Sequence, residues 1–356
     1  MDLSSITLNA GFFSVLRLLV AAGAAFALAM LWAPFLIRFL QKRKLGKSLR
    51  DASQAPVFAA LHAAKAGTPT MGGVLMWATV LAIAGVSWLG CVASSSLCAW
   101  NFVSRGQTWL PIGAMVAAAL VGLVDDYLNV RRIGPNGGGL RARHRMMTYA
   151  FIAVIVAWWF EAKLDWHVIH VPFAGDLALG WLAIPFFALT IVATSFSVNE
   201  TDGLDGLAGG PLMAAFSAYA VIAFTQGRFD LAAFCAAAVG TIMAFLWFNV
   251  HPAAFFMGDT GAMSLGVALG VVALLTNQVL LLPVIGFVFV VEALSYLIQV
   301  TSKKLRNGKK VFLSAPIHHH LEATGWKEPQ IVFRAWIVSF FAAGAGIALH
   351  LLDRWY

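Results

Sequence analysis

The 356 residues are 60% hydrophobic and only 11% charged, with a mean hydropathy of +0.82. A soluble domain carries about a quarter charged residues, so this composition excludes an ordinary soluble fold. Cys91, Cys98 and Cys235 lie in or beside apolar stretches, and their spacing predicts neither a disulfide framework nor a zinc site. The net charge of +8 fits the cation distribution of membrane loops, so we expect no nucleic-acid partner.

Ten apolar segments approach the length of about 20 residues that a transmembrane helix needs. They predict an all-α fold, a polytopic membrane helical bundle of about ten transmembrane helices that forms a single domain over residues 1–356. In chain order the predicted spans are roughly Phe13–Leu40, Met71–Ser94, Thr108–Leu128, Met146–Phe160, Leu177–Val198, Leu207–Thr225, Leu231–Phe248, Gly261–Leu275, Val279–Ser302 and Ile331–Leu352.

The cations divide unequally between the two sides of such a bundle. Five of the 24 fall on one side, namely Arg17, Arg105, Lys163, Arg228 and Arg354. The other side receives Arg38, Lys42, Arg43, Lys44, Lys47, Arg50, Lys65, Arg131, Arg132, Arg141, Arg143, Arg145, Lys303, Lys304, Arg306, Lys309, Lys310, Lys327 and Arg334. Because cytoplasmic loops collect lysine and arginine, this larger group predicts the cytoplasmic face and places both termini outside. On the outer face, the alternating pattern of residues 167–176 predicts a small hairpin.

Two adjacent carboxylates, Asp125 and Asp126, end the third span. Acids at membrane depth are costly and usually functional, although a pair at a helix end can also snorkel to the surface. Adjacent carboxylates repel, so a divalent cation or a shared proton would hold them together.

A second acidic segment, NETDGLDGLA, lies between spans five and six and begins at Asn199. Asp202 and Asp205 have the spacing of one face in the first turn of a helix, where carboxylates also cap free amides. Helix capping is therefore the alternative to a functional role, although this many polar groups and glycines exceed what a cap needs.

The segment from Asn249 to Gly261 joins spans seven and eight. Asp259 could simply cap the eighth span, but the flanking Gly258 and Gly261 also permit close approach of the backbone to a phosphate at a helix N-terminus. The ring of Phe256 has two interpretations, as part of the core or as a surface on which a base stacks.

Three consecutive histidines, His318, His319 and His320, follow the last basic loop. They cannot all face one point on a helix, and histidine suits phosphate handling better than a hard-cation site. Glu292 and Gln299 share a face of span nine; an interhelical hydrogen bond is the alternative role for both, and for Glu292 we favour it.

The segment KAGTPTMGG runs from Lys65 into span two. A lysine with hydroxyls and glycines at a helix start fits phosphate or ribose binding, and it would also serve as an ordinary basic loop at the membrane surface. Together the five segments supply carboxylates for a divalent metal, amides and cations for phosphates, and histidines for proton transfer. This combination is typical of phosphoryl transfer at a membrane surface.

The motifs GTPTMGG, LVDDYLN, FMGDTG and above all APIHHH resemble the phospho-N-acetylmuramoyl-pentapeptide transferase family. The resemblance runs from about residue 50 to residue 326. The aspartate motifs alone mark the wider superfamily of polyprenyl-phosphate N-acetylhexosamine-1-phosphate transferases, whereas the histidine motif is more specific to the muramoyl-pentapeptide branch. Ser195-Phe-Ser before Val198, Glu200 in place of an apolar residue, and Arg145 in place of lysine depart from the family pattern.

The resemblance implies that undecaprenyl phosphate and UDP-N-acetylmuramoyl-pentapeptide react to give lipid I and UMP, with Mg²⁺ as the cofactor. It implies that Asp259 binds the metal, that Asp125, beside Asp126, deprotonates or orients the lipid phosphate, and that His318 assists at the phosphates. Gln299 and His319 would lie towards the sugar-peptide end. The remaining implied substrate-binding residues, mostly in a uridine and ribose pocket, are Lys65, Thr70, Asn199, Asp202, Leu204, Asp205, Asn249, Phe256 and Gly258.

The implied location is the bacterial inner membrane, with a multi-pass chain, surrounding membrane lipid and an active site on the cytoplasmic face; apolar outer surfaces permit a homodimer without requiring one. We expect direct attack by the lipid phosphate, with prior attack by Asp125 as the competing route. A sibling transferase using another UDP-sugar is an alternative function, and a transporter is another. A transporter would place its polar groups near the bilayer midplane.

Overall fold

The computed structural model describes residues 3–46, 65, 67–103, 106–135 and 138–355. Lys47, Arg50 and Arg105, which entered the charge count, lie outside these residues. The helices are α1 Leu3–Lys42, α2 Gly73–Ala93, α3 Gly106–Val130, α4 Ala142–Leu164, α5 Ala183–Thr201, α6 Gly209–Thr225, α7 Phe229–Asn249, α8 Asp259–Leu275, α9 Leu282–Ile285, α10 Phe287–Leu305, α11 Ile317–Ala323 and α12 Glu328–Asp353.

The polytopic helical bundle is confirmed, but the count of ten spans is not. Within the described residues, seven helices have the length and composition to cross a membrane. An eighth span is added if α9 and α10, which meet at a bend of 83°, are taken together. The remaining two predicted segments form the shorter helices α6 and α8, of 17 residues each. Each predicted segment therefore contains a helix, and the difference lies in whether the short and bent ones span.

The short helices occupy the centre of the bundle. Almost every side chain of α8 and most of those of α6 are buried. Helix α8 packs against α3 and α5, and α6 packs against α7 and α12. A helix surrounded by others need not match the bilayer thickness, because protein rather than lipid meets its ends. This position allows α6 and α8 to be shorter than a typical span.

Small residues allow the central helices to approach closely. A side chain at Gly122 in α3 would come within 2.6 Å of the backbone of Asp259 at the start of α8. At the crossing of α1 and α7, a side chain at Gly240 would lie 2.1 Å from the carbonyl oxygen of Ala22. Glycine at such crossings lets helix backbones touch, as is common in membrane bundles. The contact at Gly122 brings the acids at the end of α3 beside the start of α8.

The bundle has two polar ends, which we call the site face and the far face. The site face contains Asp125, Asp205, Asp259 and His318, together with the first residue of α12, Glu328. The far face is defined by the Arg17–Asp230 ion pair, the hairpin around His170 and the last residue of α12, Asp353. The chain therefore enters α1 and leaves α12 on the far face.

The hairpin predicted for the outer face is present. Strands β1 (Val168–Val171) and β2 (Gly175–Ala178) pair antiparallel, with His170 opposite Asp176. The predicted fifth span began too early, since Leu177 belongs to β2 and the helix starts at Ala183. An apolar strand followed directly by an apolar helix gives one continuous hydrophobic run, which periodicity alone cannot divide.

The prediction that the cysteines form no disulfide is wrong. Cys91 and Cys98, seven residues apart, are joined on the far face. Helix α2 ends at Ala93, and a 3-10 turn over Ser95–Trp100 folds the chain back, so that the two Cα atoms lie 4.0 Å apart. Seven residues along a continuous helix would be about 10 Å apart, so the helix end made this pairing possible. Cys235 is buried and unpaired.

Candidate active site

Two helices bring acids to one guanidinium on the site face. Asp259, the first residue of α8, accepts a hydrogen bond from Arg145 Nη1 at 2.6 Å through Oδ2 and from Asn199 Nδ2 at 2.9 Å through Oδ1. The same Arg145 nitrogen lies 3.4 Å from Asp125 Oδ2. Asp125 is buried, and its Oδ1 accepts the backbone N–H of Leu140 at 2.5 Å. The predicted residues Asp125, Asn199 and Asp259 therefore meet, and the positive charge between the two acids comes from Arg145.

Asp126 has a different environment from its neighbour. Its carboxylate accepts the backbone N–H groups of Asp259 and Thr260, each at 3.1 Å, and so caps α8 from a separate helix. Asp259 therefore does not cap its own helix, and Asp126 accepts the amides of Asp259 and Thr260 that could otherwise have faced a phosphate.

Gly258 is required by this cap. Its φ of +72° lies in the region that favours glycine, and a side chain there would come within 2.5 Å of Asp126 Oδ2 and 2.9 Å of Thr70 Oγ1. Thr70 is itself buried. The predicted residues Thr70, Asp126 and Gly258 thus form one packed unit that fixes the start of α8.

A second cluster surrounds Lys65. Its ammonium group lies 2.7 Å from Asp205 Oδ1 and 2.5 Å from Glu328 Oε1. Asp205 Oδ2 lies 3.0 Å from His251 Nδ1 and accepts the backbone N–H of Ala253 at 3.2 Å. Glu328 also accepts the backbone N–H of Asp205 at 2.7 Å, which ties the loop to the start of α12. Helix capping, the alternative to a functional role, does not apply to Asp205, because residues 202–208 form turns between α5 and α6.

The same turns are held by Asn249 and Leu204. Asn249 is buried; it accepts the backbone N–H of Gly206 at 2.9 Å and donates to the carbonyl of Phe255 at 2.8 Å. Leu204 packs with Leu207 against α12. Both predicted substrate-binding side chains are thus engaged in shaping the loop. Asp202 follows the last residue of α5 and is half-buried.

Phe256 is half-buried beside this cluster. The Lys65 ammonium lies 6.0 Å from the centroid of its ring. Its backbone N–H donates to Pro69 at 2.7 Å, and its carbonyl accepts from Gly72 at 2.8 Å. The segments around Lys65 and Phe256 are therefore joined through the backbone, which keeps one face of the ring next to a positive charge.

The three histidines face three different partners, as their consecutive positions predicted. His318 is 1% exposed and its Nδ1 lies 2.8 Å from Glu292 Oε2. His319 Nδ1 lies 2.7 Å from Glu322, in the same helix. His320 Nδ1 accepts the backbone N–H of Leu313 at 3.3 Å. The interhelical bond favoured for Glu292 is present, and its partner is a histidine with a predicted catalytic role.

Gln299 shares the buried face of α10 with Glu292. Its Oε1 accepts the backbone N–H groups of Val311 and Phe312 at 2.9 and 3.0 Å, and its Nε2 donates to the carbonyl of Phe312 at 2.8 Å. The side chain fastens the loop that precedes the histidines. An interhelical bond was the alternative for Gln299, and the observed bonds run to a loop instead.

Sequence reasoning gave no catalytic or binding role to four residues that the structure places in these clusters, namely Arg145, His251, Glu292 and Glu328. Helical spacing placed Glu292 on the same face as Gln299, and Arg145 was noted as keeping the positive charge of the lysine usual in the family. His251 lies inside a segment already singled out, two residues after Asn249. For Glu328 the sequence holds no local signal, since a glutamate before proline at a helix start is common.

Carboxylate oxygens that could bind a divalent cation occur in two places. Asp205, His251 and Glu328 form a group with suitable spacing among the described residues, but the Lys65 ammonium already lies between its two acids. Asp125 and Asp259 share the Arg145 guanidinium, so this pair also requires positive charge. Hard oxygen donors that carry excess negative charge are suitable ligands for Mg²⁺. We favour the pair at Arg145, because 31% of its side chain is exposed, against 17% for Lys65.

The fold and these clusters define a multi-pass membrane protein with a polar reaction site at one end. Comparison with known proteins identifies the family. Residues 108–277 match glycosyl transferase family 4, and residues 65–75 match signature 1 of phospho-N-acetylmuramoyl-pentapeptide-transferase.

Curated relatives cover nearly the whole chain. The phospho-N-acetylmuramoyl-pentapeptide-transferase of Chloroflexus aurantiacus is 41% identical over 349 residues, which is 94% of this chain and 90% of the relative. Those of Geobacillus thermodenitrificans and Desulfosudis oleivorans are 38% and 37% identical, over 94% and 92% of this chain and 98% and 90% of the relatives. The chain belongs to the phospho-N-acetylmuramoyl-pentapeptide-transferase family.

Proposed function

We propose that the protein transfers phospho-N-acetylmuramoyl-pentapeptide from its UDP conjugate to undecaprenyl phosphate, which gives lipid I and UMP. This is the first membrane step of peptidoglycan synthesis. The observation that carries the proposal is the convergence of Asp125, Asn199 and Arg145 on Asp259 at one end of a membrane bundle. Near-full-length relatives with this activity in their name support the same reaction.

The reaction proceeds by direct attack. An oxygen of the lipid phosphate forms a bond to the sugar-side phosphorus, and the bond from that phosphorus to the oxygen of UMP breaks, so that UMP leaves with the electron pair. Asp125 accepts the proton of the lipid phosphate or orients it. Arg145 lies between Asp125 and Asp259 and turns towards the diphosphate when substrate arrives. Mg²⁺ bound by Asp259 would supply the charge that neutralises the diphosphate.

A trapping experiment separates this route from a covalent intermediate on Asp125, whose Oδ1 binds the amide of Leu140 and whose Oδ2 faces Arg145. Trapping radiolabelled muramoyl-phosphate on the protein, with none on Asp125→Asn, would overturn direct attack.

The cluster around Lys65 binds the nucleotide. Lys65 and the half-buried ring of Phe256 present a cation and an aromatic face to one side of the loop that Asp205 holds. A base can stack on such a ring while the ammonium meets a phosphate or ribose oxygen. Thr70, Asn199 and Gly258 border the path from this cluster to Asp259, and Asp202 and Leu204 shape its loop. Gln299 and His319 lie on the side of the loop that receives the sugar and peptide.

We place the site face in the cytoplasm of a bacterium and both termini outside its inner membrane. The cation excess on the site face and the disulfide on the far face support this orientation, because disulfides persist in oxidising compartments. A cysteine introduced as Lys310→Cys should react with an impermeant maleimide only from the cytoplasmic side. Labelling of Lys310→Cys from outside would reverse the orientation.

The test of the function is UMP release from UDP-N-acetylmuramoyl-pentapeptide with and without undecaprenyl phosphate. We expect release that requires both the lipid phosphate and a divalent cation. A preference for UDP-N-acetylglucosamine would instead identify a sibling transferase. Absence of release from either nucleotide sugar would contradict the transferase assignment and leave the transporter alternative.

A further inference from the structure

Glu292 and His318 form a buried pair that the proposed reaction does not yet use. Glu292 lies in α10 and His318 in α11, and both are at most 4% exposed. The distance from His318 Nδ1 to Glu292 Oε2 is 2.8 Å, and the His318 backbone N–H lies 3.5 Å from the same oxygen. A single carboxylate oxygen therefore holds both the ring and the first turn of the short helix that carries the three histidines.

The chemistry of this contact fixes which ring nitrogen carries a proton. Glu292 Oε2 faces the backbone N–H of His318 as well as its ring, so this oxygen is the acceptor and His318 Nδ1 is the donor. The other nitrogen, Nε2, has no hydrogen-bond partner in the part of the chain that the structure describes, and it is buried. A neutral imidazole with its proton on Nδ1 presents a lone pair at Nε2. All proton exchange by this ring then takes place at Nε2.

The position of Nε2 relates it to the proposed substrate site. A side chain at Gly203 would come within 2.1 Å of this nitrogen, so Nε2 lies directly against the turn between Asp202 and Asp205. Asp205 in turn contacts Lys65. Glycine at position 203 is required, because any larger side chain would overlap His318 Nε2. The unpartnered nitrogen is therefore aimed at the loop of the nucleotide cluster and away from the membrane-spanning part of α10.

We infer that Glu292 is a positioning residue for the transfer reaction, which holds His318 with Nδ1 protonated and Nε2 directed at the loop between Asp202 and Asp205. The inference rests on the proposed function. It assigns to Glu292 the role of orienting a histidine through the nitrogen that does not react, as carboxylates do in other enzymes. His318, not Glu292, meets the substrate.

Two other carboxylate–histidine pairs provide matched comparisons. Glu322 contacts His319 in the same short helix at 2.7 Å, and Asp176 contacts His170 on the far face at 2.7 Å. The His319 pair lies within one helix and is partly exposed, so it does not fix a ring between helices. Asp176 is largely exposed and lies at the opposite end of the bundle.

The experiment measures UMP release by the full-length protein for Glu292→Gln, Glu292→Asp and Asp176→Asn. Glutamine keeps the shape of the side chain and removes its charge, and we expect kcat to fall on the order of 10²-fold with KM for the UDP substrate within about threefold. Aspartate restores part of the rate, because it keeps a carboxylate on the same face. Asp176→Asn leaves both constants unchanged. Full activity of Glu292→Gln would overturn the inference.

A double variant separates positioning from general stability. In a His318→Ala background, Glu292→Gln should cause no further loss of kcat, because the ring that Glu292 orients is gone. An equal further loss would show that Glu292 acts only through the stability of α10 and would also overturn the inference. The thermal unfolding curve of each variant gives the fraction that is folded at the assay temperature. The rates are divided by the concentration of folded protein to obtain kcat.

A spectroscopic measurement distinguishes this inference from the proposed function. Nitrogen NMR of histidine-labelled protein, assigned by comparison with His318→Ala, should show Nδ1 protonated in the wild type and a mixture of tautomers in Glu292→Gln. This result does not depend on which substrate is used. If the wild type releases no UMP but the tautomer changes as expected, the proposed function fails and the arrangement of Glu292 and His318 stands. If the tautomer is unchanged, the inference fails regardless of activity.

Discussion

Both ends of the bundle bury charged side chains, yet they balance them differently. On the far face, Arg17 pairs with Asp230, while Arg228 and Arg354 donate to the carbonyls of Leu275 and Thr225 at the ends of helices. On the site face, Asp125 and Asp259 share Arg145, and Asp205 and Glu328 share Lys65. Each of these two clusters on the site face thus holds two acids for one cation.

The difference supports our proposal that the reaction takes place on the site face. In a buried ion pair with one partner for each charge, the two charges balance each other. Arginines at helix C-termini are stabilised by the negative end of the helix dipole. Two carboxylates around one cation leave an excess of negative charge, which favours binding a further cation or a proton. In the proposed reaction, a divalent metal bound together with the diphosphate would supply that charge. The arginines of the far face are not surrounded by excess negative charge, and their contacts hold the helices together.

Neutralising one acid on each face should give the largest contrast. Asp259→Asn removes the charge beside Arg145 and should lower the rate of UMP release about 10²–10³-fold, because it removes an electrostatic contribution at the reacting phosphates. Asp230→Asn, which breaks the ion pair with Arg17, should leave the rate per folded protein unchanged. Rates of the two purified variants, measured with saturating substrates, test the contrast. More than a tenth of wild-type activity in Asp259→Asn would remove Asp259 from the centre of the mechanism.

Removing the disulfide should affect stability without affecting catalysis. The double variant Cys91→Ser, Cys98→Ser frees a short loop on the far face, and chain entropy gives about 2.5 kcal/mol for a loop of this length. We expect a lower midpoint of thermal unfolding and an unchanged rate of UMP release. The wild type treated with a reductant is the control and should match the double variant. A loss of rate per folded protein would show that the two faces are coupled.

Removing the cap of α8 should cost stability on the site face. Asp126→Ala leaves the amides of Asp259 and Thr260 without their acceptor, and loss of a cap costs about 1–2 kcal/mol. The melting temperature should fall, and activity should fall with it because Asp259 begins the uncapped helix. Asp126→Asn keeps an acceptor oxygen and should lose less stability. Complete inactivity of Asp126→Asn at unchanged stability would instead assign Asp126 a direct catalytic role.

The smallest expected effect concerns His170, which joins the hairpin to α12 through Asp176 and Asp353. Burial alone would lower the pKa of His170, but hydrogen bonds to Asp176 and Asp353, each at 2.7 Å, and their charges raise it above its usual value. Because the folded-state pKa is the higher one, the contribution to stability is full below pH 6.5 and is lost as pH rises through the raised value. The melting temperature of the wild type should exceed that of His170→Gln by about 1–2 °C at pH 5.5 and by less at pH 9. An increase of the difference with pH would contradict this sign.

Much of the site could be identified from the sequence because the chemistry is concentrated in short motifs. Asp125, Asn199 and Asp259 are far apart in the chain, yet each lies at the end of an apolar run, and the alternation of spans places those ends on one side. The same logic predicted that three consecutive histidines would face different partners. Charge, apolar length and motif order were sufficient for these conclusions, because each span of a membrane bundle takes the chain from one side to the other. The side on which a motif lies can therefore be read from its position along the chain.

The pairing of side chains could not be obtained this way. Asp125 and Asp126 are adjacent in sequence, but a rotation of about 100° along the helix sends one to Arg145 and the other to the amides of α8. The choice of partner for Glu292, and the contact of Glu328 with Lys65, depend on where α11 and α12 pack. The disulfide was missed for a similar reason, since only the turn after α2 brings Cys91 and Cys98 together.

The amino-acid sequence by itself determined that the chain is a helical membrane protein, which residues are candidates for its chemistry and which family it resembles. Those properties depend on composition and local order, which are fixed before folding. The tertiary structure alone decided that α6 and α8 are central helices shorter than a typical span, that Asp126 caps α8, and that two acids share Arg145 and two share Lys65. These features depend on helix crossings such as Gly122 against Asp259, where a distance of a few ångströms determines which charges meet.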